Sequence, residues 1–73
     1  QSMERSEIRA RIASAIAQLS PEHRAVILMK EIDGMQYHEI AETLGCSIGT
    51  VMSRLFYARK NLQNLLKDLY ENI

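Results

Sequence analysis

No run of about 18 apolar residues occurs in this sequence and no signal-peptide pattern opens it, so neither a membrane span nor secretion is expected. Cysteine occurs once, at Cys46, which excludes an internal disulfide and suits a reducing cytoplasm, the expected location. Cys46 has no CxxC partner, and His23 and His38 lack a second ligand at metal spacing, so no zinc site, other metal or cofactor is expected. Cys46 reads instead as a small buried residue beside a turn. A Ser/His/Asp arrangement, a Gly-rich phosphate loop and paired carboxylates in an apolar pocket are all missing. The 73 residues also enclose too little core for a closed pocket. The chain is not expected to be an enzyme.

Net charge is missing as well, which by itself argues against nucleic acid. The charges are unevenly placed, however. Between residues 20 and 45, Glu22, Glu31, Asp33, Glu39 and Glu42 outnumber Arg24 and Lys30; between 46 and 60, Arg54, Arg59 and Lys60 meet no acid. A molecule polarised in this way can turn one basic face to phosphate while its acidic remainder keeps away. With so few cations few counterions are released, so the domain alone should bind DNA modestly.

What the sequence does hold is helical periodicity, read as one all-α domain over residues 1–73, with residues 1–3 a frayed end. From Glu4 to Gln18 the apolar residues Ile8, Ile12, Ala15, Ile16 and Leu19 recur at intervals of three and four, the face of an amphipathic helix. Glu7 and Arg11 are placed to pair on its outer face. Ser20 and Pro21 then cap and start a second helix, with Glu22 at the positive end of its dipole. That helix runs to Ile32 or Asp33 and ends at Gly34. Its apolar residues Ala25, Val26, Leu28, Met29 and Ile32, with Ile27 also available, predict burial on more than one side, any exposed remainder being a place for a protein partner.

A third, short helix is expected from Tyr37, capped by Gln36. Gln is a poor cap, but Glu39 can supply half of a capping box by reaching back to the Gln36 N–H. Ile40, Ala41 and Leu44 form its inner face. Ser47 caps a fourth helix that the wheel carries without interruption almost to the C-terminus, with Ile48, Val51, Leu55, Ala58, Leu62, Leu65, Leu66, Leu69 and Ile73 on one stripe. Its first half should pack on the third helix and its second half on the first. The expected architecture is a compact four-helix domain, a monomer, with a helix-turn-helix over residues 37–60 and a long C-terminal recognition helix.

The helix-turn-helix reading rests on Ala41, Gly45 and Val51, four and six residues apart. Ala41 is small enough for two helices to cross closely, Gly45 can enter the left-handed region after the first helix, and Val51 faces back into the angle between them. Opposite the Val51/Leu55 stripe lie Gly49, Ser53 and Lys60, flanked by Thr50 and Tyr57 on one side and Met52 and Phe56 on the other. Apolar side chains there can touch thymine methyl groups, and Ser and Thr can bond base edges or phosphate. The candidate DNA-binding residues are therefore Ser47, Gly49, Thr50, Met52, Ser53, Arg54, Phe56, Tyr57, Arg59 and Lys60. Gly49 fits a close backbone approach. Arg54 is expected to pair with Glu39 or Glu42, or else to hold a phosphate. Arg59 and Lys60, two turns on, suit phosphate.

The segments Leu19-Ser20-Pro21-Glu22-His23-Arg24, Asp33-Gly34-Met35-Gln36-Tyr37-His38-Glu39-Ile40-Ala41 and Gly45-Cys46-Ser47-Ile48-Gly49-Thr50-Val51-Met52-Ser53-Arg54-Leu55 together resemble region 4 of bacterial sigma-70-type factors, the extracytoplasmic-function group above all. The resemblance covers about residues 19–66. It implies recognition of the −35 promoter element of double-stranded DNA by the helix from Ser47 to Lys60, docking on the β flap of RNA polymerase, and often capture by an anti-sigma factor. Family base contacts would fall on Met52, Ser53, Phe56 and Tyr57, with Thr50 and its neighbours on phosphate. Met52 and Tyr57 depart from the pattern, standing where many members carry Lys or Arg. Gln36 stands where Ser or Thr is commoner. The sigma region that melts the −10 element is absent from this sequence. Two other readings stay open: a response-regulator type of helix-turn-helix effector domain, binding as a dimer on paired half-sites, and a sigma-mimicking interaction domain that titrates an anti-sigma factor.

Overall fold

The starts of the first four helices and the end of the third rest on local devices that the chain carries with it. The computed structural model describes residues 3–72, with the backbone alone for Tyr70 and Asn72; the expected fraying of residues 1 and 2 and the stripe position of Ile73 lie outside the described residues. Five helices follow one another: α1 (Arg5–Ala17), α2 (Pro21–Ile27), α3 (Tyr37–Leu44), α4 (Ile48–Leu65) and α5 (Lys67–Asn72). The Ser20 hydroxyl accepts the His23 N–H at 3.3 Å and Pro21 holds the first helical position of α2. The end of α2 widens into a π-turn over Leu28–Ile32, where the Asp33 N–H reaches five residues back to the Leu28 carbonyl at 3.0 Å. Gly34 then turns the chain at φ 69°.

At the start of α3 the Glu39 carboxylate accepts the Gln36 N–H at 2.8 Å, the half of a capping box that the sequence predicts. Gly45 ends α3 at φ 67° and ψ 39°, the left-handed conformation that an L side chain resists. The Ala41 carbonyl accepts the Gly45 N–H there, and the Cys46 N–H at 3.0 Å. Cys46 is half-buried against the core rather than fully enclosed.

The core lies in the angle between α2, α3 and α4, with α4 packed on both of the others. It consists of Leu19, Val26, Ile27, Ile40, Ala41, Val51, Leu55 and Ala58. Ile27, the spare position in the sequence reading, is thus a centre of the core, whereas Leu28 and Ile32 face outward, Ile32 to 67%. Ile48 is also exposed, although the wheel puts it on the inner stripe. It stands in the first turn of α4, past the last residue of the short α3.

The largest correction concerns the fourth helix. It does not run unbroken: at Leu66 the backbone leaves the helical region (φ −109°, ψ 17°) and resumes as α5. Beyond the bend Leu69 is buried and Asp68 meets Arg11 of α1 through two hydrogen bonds of 2.7 Å. A wheel cannot reveal such a bend, because the same residues share a stripe whether or not the axis turns between them. Arg11 is accordingly not paired with Glu7, whose carboxylate instead accepts the Glu4 N–H at 3.0 Å and caps α1. The Arg11 guanidinium holds the Asp68 carboxyl below its ordinary range, and the Arg11 pKa is raised in turn. The described residues span 43 × 19 × 17 Å, and among them no helix is long and apolar enough to cross a membrane.

Candidate nucleic-acid interface

The interface is built on α4, whose inner stripe of Val51, Leu55 and Ala58 is buried and whose other side is left to solvent. Ser47 anchors its start: the hydroxyl oxygen accepts the Thr50 N–H at 3.1 Å and donates to the Thr50 hydroxyl at 3.0 Å. Both hydroxyls keep lone pairs for a further partner while they fix the first turn. A Cβ built on Gly49 would sit 3.8 Å from the Ser47 hydroxyl, in ordinary contact. Nothing among the described residues therefore requires glycine at that position.

The outward face is the one that the wheel predicts. Met52 is 53% exposed and Phe56 and Tyr57 are each 56% exposed, with Ser53 and Lys60 exposed between and beyond them. The Phe56 and Tyr57 rings meet edge to face, 5.1 Å between centroids at 86°. The Lys60 ammonium lies 5.5 Å from the Phe56 centroid, within cation–π range. Met52 and Phe56 line a shallow hollow of about 530 Å³ together with Tyr37, Arg59, Lys60 and Gln63. Tyr37 in turn lies beneath the Lys30 ammonium, 4.8 Å from its ring centre.

Arg54 departs from its expected pairing, and Arg59 has an acidic partner within the fold. Arg54 pairs with neither Glu39 nor Glu42; its guanidinium lies 3.6 Å from the Glu22 carboxylate at the start of α2. Glu39 is already committed to the Gln36 N–H. Arg59, expected on phosphate, donates from Nη2 at 2.6 Å and from Nε at 3.1 Å to one oxygen of Glu31, at the far end of α2. That hydrogen bond to Glu31 raises the Arg59 pKa. Of the three cations of α4, Lys60 alone has no acidic partner among the described residues.

α4 is thus paired with α2 at two points, by Arg54 on one flank of its outward face and by Arg59 on the other. Between them the buried stripe of Val51, Leu55 and Ala58 sets the roll of α4 about its axis, and the two exposed pairs add little to it. The uneven charge of the sequence, acids in excess over residues 20–45 and bases alone over residues 46–60, contained the signal for these pairs. Reading it as the polarity of a surface hid the pairing. Arg24, in the sequence only a charge and a motif residue, has a structural role. Its guanidinium donates to the Ala17 and Leu19 carbonyls at 3.3 and 3.0 Å, placing a cation at the negative end of α1.

The family model described as Sigma-70, region 4 matches residues 9–62. The RNA polymerase sigma-H factor of Pseudomonas aeruginosa is 37% identical over 67 residues, which cover 92% of this chain and 35% of that protein. The ECF RNA polymerase sigma-E factors of Escherichia coli and Salmonella typhi are each 38% identical over 63 residues, covering 86% of this chain and 33% of theirs. The chain spans about a third of the length of these relatives.

Proposed function

The chain belongs to the sigma-70 region 4 family, in its extracytoplasmic-function group, and from that premise we propose that α4 enters the major groove of the −35 promoter element while the domain docks on the β flap of RNA polymerase. Gly49, Met52, Ser53, Phe56 and Tyr57 face the bases. Ser47, Thr50 and Lys60 hold phosphates. Arg54 and Arg59 flank this face, paired with Glu22 and Glu31. The domain acts without catalysis, as a monomer in the cytoplasm, reading one site per promoter.

The observation that carries this reading is the continuous exposure of Met52, Phe56 and Tyr57 along a helix whose opposite stripe forms the core. Large apolar side chains kept out of a small core need a surface to meet. With one unpaired cation on α4, free affinity for DNA is low. Tethering to polymerase supplies the effective concentration that offsets it. The test is transcription from a cognate promoter by holoenzyme carrying Ser53→Glu or Lys60→Glu. Each variant should lose −35-dependent initiation, and intact initiation by both would sink the assignment of this face.

A second reading has one observation in its favour. Leu28 and Ile32, in the turn that follows α2, are exposed large apolar side chains and suit a protein partner such as an anti-sigma factor. A domain devoted to that partner would bind it tightly and leave −35 DNA unprotected inside a polymerase complex.

A further inference from the structure

The placement of the arginines limits the bases that α4 can read. Guanine is recognised in the major groove by a guanidinium or ammonium presented to its O6 and N7, whereas thymine is recognised by apolar contact with its C5-methyl group. Both guanidiniums of α4 are drawn back onto α2, Arg59 at 2.6 Å from Glu31 and Arg54 at 3.6 Å from Glu22. The side chains that project instead are Met52, Phe56 and Tyr57. The Phe56 ring meets the Tyr57 ring edge to face and lies within cation–π range of the Lys60 ammonium, contacts that favour one orientation of the ring before a base edge arrives. Met52 and Phe56 share a hollow open to the surface, and its apolar wall suits a methyl group.

We propose that α4 selects thymine, through methyl groups seated against Met52 and Phe56, and that guanine contacts contribute little to its preference. The proposal rests on the assignment of α4 to the major groove and names the base chemistry of that site. Lys60, on the outward face one turn beyond Phe56, neutralises a phosphate and adds affinity without sequence preference.

The experiment uses RNA polymerase holoenzyme containing the natural protein that carries this sequence. A footprint first locates the upstream segment that it protects. Each thymine in that segment is then replaced by deoxyuridine, which lacks the methyl group, and each guanine by 7-deazaguanine, which lacks the N7 acceptor. At least one deoxyuridine should weaken binding about fourfold, the worth of one buried methyl group. Every 7-deazaguanine should cost less than about twofold. Phe56→Ala should lower affinity and also abolish the difference between thymine and deoxyuridine, which a merely structural role for an exposed ring would not do. Indifference to deoxyuridine, a tenfold loss on 7-deazaguanine, or a protected segment without thymine overturns the proposal but leaves the groove assignment standing. Absence of any upstream protection overturns both.

Discussion

Replacing Glu31 by Gln should make DNA binding tighter and more dependent on salt, although Glu31 lies on the opposite helix from the interface. The reasoning starts from the pair itself. Arg59 and Glu31 are 44% and 48% exposed as side chains, so their ion pair is worth no more than about 0.2–1 kcal/mol. That is the most by which Glu31 competes with phosphate for the guanidinium. Removing the competition can raise affinity by up to about fivefold. One added phosphate contact steepens the fall of log K with log salt by about 0.9. The assay is holoenzyme binding to promoter DNA between about 50 and 200 mM salt, parent against Glu31→Gln. Glu22→Gln should shift the slope less, because at 3.6 Å its carboxylate competes more weakly for Arg54. An unchanged or shallower slope for Glu31→Gln refutes the argument: Arg59 then does not pass from acid to phosphate.

Three other outcomes are expected. Leu55→Ala opens a cavity at a fully buried site and should cost about 2–5 kcal/mol, read from chemical unfolding. Gly45→Ala meets no clash but must hold a side chain at φ 67°, costing about 1–2 kcal/mol and lowering Tm by about 4–8 °C for each kcal/mol. Asp68, whose folded pKa Arg11 depresses, stabilises the fold above the ordinary carboxylate pKa, and that contribution is lost as pH falls through the folded value. Acid titration followed by hydrogen exchange in α5 should therefore show loosening below the usual carboxylate range in the parent, and in Asp68→Asn already at neutral pH.

Local chemistry was legible in the sequence wherever one residue decides one conformation. Ser20 and Ser47 as caps, Gly45 in the left-handed region and Glu39 reaching back to Gln36 all appear where their residue types predict. The inner stripe of Val51, Leu55 and Ala58 was legible because burial imposes a period. The outward exposure of Met52, Phe56 and Tyr57 followed as its complement. Long-range placement was not legible. Arg59 and Glu31 are 28 residues apart and Arg11 and Asp68 are 57 apart, and periodicity cannot choose among several acids at such distances. Ile48 and Leu66 failed for a related reason: a stripe records which residues share a face, not whether a neighbour covers that face or the axis bends.

The burial of one stripe of α4 divides labour among residues that stand side by side on one helix. On α4, Val51, Leu55 and Ala58 set the orientation by burial, with Arg54 and Arg59 paired to acids beside them; Met52, Phe56 and Tyr57 carry no core burden. If α4 reads DNA as proposed, substitutions among the exposed residues alter its base preference at little expense to folding, whereas substitutions in the buried stripe alter the fold itself. New specificities are thus reachable one side chain at a time, through intermediates that still fold.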